Sequence, residues 1–175
     1  MEFVLVERRF EQPVELKDIQ AQEGEGSWCL DAHNVRFLKT FFSKDRRRML
    51  CLYEAPDAES VRLAEAQAKL PFDSAWTCHH LQGGQRLPHA SATEYVLVER
   101  SFPEPLTKEF VTTTFPKASG CMELHRASYV EGFLGHDGQR MVCVFRAPDA
   151  EAVRTANTQA GLPYTSVWTA SLHTT

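Results

Sequence analysis

Residues able to do chemistry come in pairs along this chain, and the members of each pair stand 92 positions apart. The imidazoles are His33 and His125, the carboxylates Glu7 and Glu99, and the guanidinium groups Arg48 and Arg140. The thiols Cys51 and Cys143 and the indoles Trp76 and Trp168 keep the same spacing. Neutral imidazole suits both proton transfer and divalent metal binding, so His33 and His125 are candidate ligands or bases as well as candidate core residues. Glu7 and Glu99 close strands that are otherwise apolar, where a carboxylate must be paired or near water. Arg48 and Arg140 are their expected partners. Brought close together, the two carboxylates would instead raise one pKa and form an acid/base couple. Cys51 and Cys143 read as small core residues, yet with the two histidines they could make a Cys2His2 metal set. No C-x-x-C is present, so a zinc knuckle is not expected. Trp76, Trp168 and Tyr129 are core or barrel-wall residues that could also line an apolar pocket.

The remaining histidines have no matching histidine 92 positions away. His79, His80, His89, His136 and His173 therefore read as surface residues. The chain contains no nucleophile elbow, phosphate-cradling glycine loop, dinucleotide fingerprint or H-E-x-x-H, which removes the usual hydrolase, kinase and dehydrogenase readings.

The spacing of 92 is a period of the whole chain. Phe3-Val4-Leu5-Val6-Glu7-Arg8 falls on Tyr95-Val96-Leu97-Val98-Glu99-Arg100, and Ala55-Pro56-Asp57-Ala58-Glu59 falls on Ala147-Pro148-Asp149-Ala150-Glu151. So long a period is one small domain duplicated. Repeat 1 covers residues 1–82, repeat 2 covers 94–175, and the Gly-, Ser- and Pro-bearing stretch 83–93 reads as a linker.

Each copy has the same expected elements. A strand over 3–9 (95–101) alternates and is rich in β-branched residues. A helix follows Pro13 (Pro105) and is cut short by Gly24 and Gly26 in one copy and by Pro116 in the other. A second strand over 33–43 (125–134) would put His33 on the side of Phe37 and Phe41, and His125 on that of Tyr129 and Phe133. A tight turn at 43–46 (135–138) leads to a third strand at 47–54 (139–146). Asp57 and Asp149 are placed to cap a second helix with a stripe of small residues, and a fourth strand crosses Trp76 or Trp168.

Strand, helix, hairpin, helix, strand is the ferredoxin-like βαββαβ order, an α+β fold. The third strand is apolar on both sides, Met49, Cys51 and Tyr53 against Leu50 and Leu52, so both sheet faces should be dry. Two antiparallel sheets packed face to face, an intrachain pseudo-dimeric α+β barrel, would satisfy that demand. The first helix and its exit diverge most between copies, as a pocket shaped for one asymmetric molecule would allow.

The strings Cys51 to Glu59 and Cys143 to Glu151, with the first strand of each copy, resemble a family of small ferredoxin-like domains of unknown function that includes a bacterial nickel-binding protein. The resemblance covers nearly all of each copy. It implies the fold and, as cofactor, a divalent transition metal such as nickel. The histidines that metal-binding members resemble one another in carrying, late in the first strand and in the second helix, are absent: Glu7 and Glu99 stand in the strands, and Gln67 and Gln159 in the helices.

The 175 residues carry 19 Lys+Arg against 23 Asp+Glu, a net charge of −4, which argues against a nucleic-acid partner. No apolar run approaches a membrane span, so no membrane partner is expected. Five cysteines and no secretory leader point to a reduced, cytoplasmic setting. The partner expected is a small molecule or metal ion held between the repeats, with homo-oligomer formation open. An oxygenase, isomerase or cyclase, cofactor-free or dependent on haem or metal, could use the same lumen. A protein-interaction module without a pocket is the third reading.

Overall fold

Alternating β-branched and aromatic residues form strands wherever the period of two is legible, and aspartate starts the last helix of each copy. The computed structural model describes residues 1–83 and 94–174, so the expected linker, apart from Gly83, and His89 lie outside the described residues. The chain divides into two compact units. The first holds Met1–Cys78 with the residues from Ser171 onward, the second His79–Ala170.

In the first unit β1 (Glu2–Arg9) lies between β3 (Arg48–Ala55) and the start of β4 (Ser74–Gln82), and β3 pairs with β2 (Arg36–Ser43), all antiparallel. In the second, β5 (Glu94–Ser101) lies between β7 (Arg140–Ala147) and β8 (Ser166–Thr174), and β7 pairs with β6 (Ser128–Gly135). This is the ferredoxin-like order in both, and the fold is α+β with two repeats, as expected. The ends of the fourth strands belong with the other unit. Gly83 donates its backbone N–H to Val130 O at 2.9 Å, and the Ser171 hydroxyl donates to Phe42 O at 3.4 Å.

Helices α1 (Leu16–Glu25), α2 (Ser27–Ala32) and α3 (Ala58–Gln67) serve the first unit; α4 (Lys108–Thr114), α5 (Ser119–Leu124) and α6 (Ala150–Ala160) serve the second. Asp57 accepts the N–H of Ser60, and Asp149 that of Ala152, satisfying donors that a helix start leaves open. Val4, Val6, Met49, Cys51, Tyr53, Val61 and Ala64 form the first core between sheet and helices. Val96, Val98, Met141, Cys143, Phe145, Val153 and Ala156 form its counterpart. Leu5, Phe41, Leu50, Leu52, Leu97, Phe133, Val142 and Val144, on the opposite sheet faces, are also buried, so both faces are dry. Among the described residues no helix is long and apolar enough to cross a membrane.

Two local features depart from the sequence expectation. The chain does not go from the first helix directly into a strand at residue 33 or 125. It forms α2 and α5, and His33 and His125 cap their C-termini, ahead of the strands. Gly26 tolerates the break between α1 and α2, and a 3-10 turn at Phe115–Ala118, with Pro116 in its first turn, plays that part in the second unit. In addition, β2 and β6 carry matched bulges between Phe37 and Lys39 and between Tyr129 and Glu131. Each bulge inserts one residue and reverses the alternation beyond it. Phe37 and Tyr129 consequently face the helices, while Phe41 and Phe133 face away.

Candidate functional site

The second unit contains a cavity of about 380 Å³ between its sheet and the run from α4 to α5, a size typical of small-molecule sites. Val111 and Met122 contribute from the helices, Met141 and Phe145 from β7, and Leu162 from beyond α6. Among the lining residues Arg100 is the only cation and Glu123, exposed, the only carboxylate.

Arg100 is there because of strand periodicity. It shares a β5 face with Val96 and Val98, which points into the core, and it is 2% exposed. Its Nη1 donates to Pro163 O at 2.9 Å, its Nη2 to Asn157 Oδ1 at 2.6 Å, and its Nε to Cys143 Sγ at 3.5 Å. The Phe115 ring lies 5.5 Å from its central carbon. Three of the five N–H groups of a guanidinium are thereby used, all on uncharged acceptors.

Tyr129 lines the same cavity and donates its hydroxyl to Leu81 O at 3.4 Å. Burial pushes its phenol well above the usual range, so it stays protonated as both donor and acceptor. Gly132 makes room for it, because a Cβ at 132 would overlap that hydroxyl and come within 3.0 Å of Met141 Cε. The first unit has Phe37 and Thr40 at these two positions, and the Thr40 hydroxyl sits 3.1 Å from Cys51 Sγ.

The remaining residues expected from the sequence are placed as follows. Glu7 accepts from the Ser74 hydroxyl, and Glu99 from Trp168 Nε1 at 3.2 Å, on the faces away from the helices. Trp76 is buried opposite Leu5 in the register of β1 and β4. Arg140 lies 3.8 Å from Asp137 in its own hairpin turn, and Arg48 is half-buried at the start of β3. His33 Nε2 meets Gln67 Oε1 at 3.0 Å, and His125 Nε2 meets Gln159 Oε1 at 2.7 Å. Cys51 and Cys143 are buried in the two cores. Among the described residues no three His, Cys, Asp or Glu side chains gather as a metal-binding group.

His80 departs from its expected surface position. Its ring stacks on Phe133 at 5.1 Å and its Nε2 lies 2.7 Å from Glu131 Oε2, with both side chains largely buried. His79 packs against His136 with ring centroids 4.4 Å apart, and His173 meets the Ser171 hydroxyl at 2.8 Å. Arg100, which lines the cavity, and its counterpart Arg8 are the buried polar residues least visible in sequence. The signal for them is an arginine on the same strand face as two core valines, which demands a buried acceptor.

A family model described as nickel responsive protein, SCO4226-like, matches residues 5–77 and again residues 96–169. No curated protein matches. Among solved structures, a heme-binding protein from Thermus thermophilus is similar at 8% identity and TM-score 0.49, covering 98% of this chain and 90% of that one. A mutant chlorite dismutase from Candidatus Nitrospira defluvii is similar at 9% identity and TM-score 0.49, covering 97% of this chain and 90% of that one.

Proposed function

We propose that this chain, which belongs to the nickel responsive protein SCO4226-like family in both of its halves, is a small-ligand-binding protein whose site is the apolar pocket of the second unit. One observation carries the reading: a cavity of about 380 Å³ with a mostly apolar wall that also presents the buried guanidinium of Arg100 and the half-buried hydroxyl of Tyr129. Apolar walls with a few fixed polar groups are what small-molecule recognition requires.

The donor set does not fit a resident nickel ion as well. Imidazole is a good nickel ligand, but His33 and His125 each face a glutamine, and an amide oxygen is a poor substitute for a second imidazole or thiolate. Cys51 is packed in the core against Thr40, and Cys143 receives an N–H from Arg100.

The test uses the neutral fluorescent probe N-phenyl-1-naphthylamine. Saturable binding at one site per chain is expected, weakened about tenfold or more when Thr112→Trp plugs the rim of the cavity from an exposed position. Absence of saturable binding, or binding that ignores the plug, overturns the reading. Stoichiometric nickel retained on dialysis of untagged protein and lost in His33→Ala and His125→Ala would favour the metal instead.

A further inference from the structure

The two units supply an internal comparison around the matched arginines. In the first unit Arg8 Nη2 donates to Glu65 Oε2 at 2.7 Å, a pair in which both side chains are almost wholly buried. A second carboxyl, Glu23 on α1, stands near enough to feel the Arg8 charge, and one of its oxygens is buried. In the second unit the residues 92 positions on are Asn157 and Phe115. The guanidinium is kept while both carboxyl groups around it are replaced by neutral side chains. Pro116 ends α4 early at the same place, and the chain passes along the cavity rim as a 3-10 turn.

Arg100 is thus a buried cation with no carboxylate within ion-pair distance among the described residues. Its side chain lines a cavity where the first unit has side-chain carboxyl groups. A guanidinium remains charged at any ordinary pH, and a buried charge calls for a counter-ion. Its planar fork matches a carboxylate in particular. From this we infer that the pocket's ligand is an apolar organic acid, its carboxylate received by Arg100 and its body by the wall of Val111, Met122, Met141 and Phe145. This deepens the small-ligand reading and rests on it. Glu123 does not supply the missing charge, because it is exposed to water at the rim.

Competition against N-phenyl-1-naphthylamine tests the inference with two competitors of equal chain length, decanoate and 1-decanol. A carboxylate loses far more hydration than an alcohol on entering an apolar cavity, so only a buried cationic partner can reverse the order. Decanoate is expected to displace the probe at a concentration about tenfold or more below that of decanol in the natural protein. Asn157→Glu installs the carboxylate that Glu65 already provides beside Arg8. It should leave probe and decanol binding within about twofold and weaken decanoate about tenfold or more. Decanoate binding no better than decanol overturns the inference while the pocket reading stands. A decanoate preference that survives Asn157→Glu places the anion elsewhere and overturns it too. If Asn157→Glu fails to fold, the competition in the natural protein decides alone. Failure of the neutral probe to bind removes the reading on which the inference rests.

Discussion

Arg100 and Asn157 meet through Nη2 and Oδ1 at 2.6 Å, in the position where Arg8 and Glu65 form an ion pair at 2.7 Å. The two contacts have nearly the same length and unequal consequences. Removing the carboxylate of Glu65 strands a buried charge, whereas removing the amide of Asn157 costs hydrogen bonds to a cation that has no carboxylate partner among the described residues.

In urea unfolding of the full chain, Glu65→Ala should therefore cost about 3–5 kcal/mol. Asn157→Ala, which loses the bond from Arg100 and its own donation to Val153 O, should cost about 1.5–3 kcal/mol. Equal losses, or a smaller loss for Glu65→Ala, would show that Arg8 is not held by charge pairing.

Glu23 gives a pH signature. Burial raises its carboxyl above the usual range, and Arg8, which lowers it, only partly offsets that. For a group whose folded pKa lies above the unfolded one, stability is fully present below the unfolded value and is lost as pH rises through the folded value. Glu23→Gln removes that loss. The variant should be more stable than the natural chain at pH 7, and the advantage should vanish below about pH 4.5. Thermal melts across pH 4–8 would show it, and an advantage that grows toward low pH would contradict the account.

Gly132 and Tyr129 form a matched set that the first unit lacks. Gly132→Ala pushes a methyl group into the Tyr129 hydroxyl and against Met141, and overpacking of this kind costs about 1–3 kcal/mol. Tyr129→Phe deletes the obstructing oxygen, so the double variant should recover most of the loss. A double-mutant cycle that comes out additive would separate the two positions.

These relationships also show what was legible beforehand. The repeat, the strands and the caps at Asp57 and Asp149 were readable because each depends on residues close in sequence. The dry second face of each sheet followed from Leu50 and Leu52 alternating with Met49 and Cys51. Gly24, Gly26 and Pro116 look like helix ends, which puts His33 and His125 on strands, while the chain uses them as joints between successive helical segments. The bulges beyond Phe37 and Tyr129 leave no mark in composition, so period-two counting puts Phe133 on the same side as Tyr129, whereas it faces the other way. Period-two counting puts Arg8 on the sheet face opposite Glu7, and the structure places it there. Its true partner was hidden because Glu65 is 57 residues away, on the apolar stripe of a helix.

Thiol reactivity offers a separate check on the cores. All five cysteines are free, and burial pushes Cys51 up to about 11 and Cys78 up to about 12, with nearby Arg8 only partly opposing the shift at Cys51. The thiolate is the reactive form, so the raised pKa leaves Cys51 almost wholly as the unreactive thiol at pH 8, and access is blocked as well. Cys121 alone among the five is only half-buried. Iodoacetamide applied to the native chain at pH 8 should modify Cys121 first, leaving Cys51 and Cys78 intact over the same interval. In urea all five should react at similar rates, since the difference belongs to the fold and not to the residues' neighbours in sequence. Native labelling of Cys51 as fast as Cys121, read by peptide mass spectrometry, would mean that the sheet-to-helix core beside Arg8 opens to solvent far more readily than its packing implies.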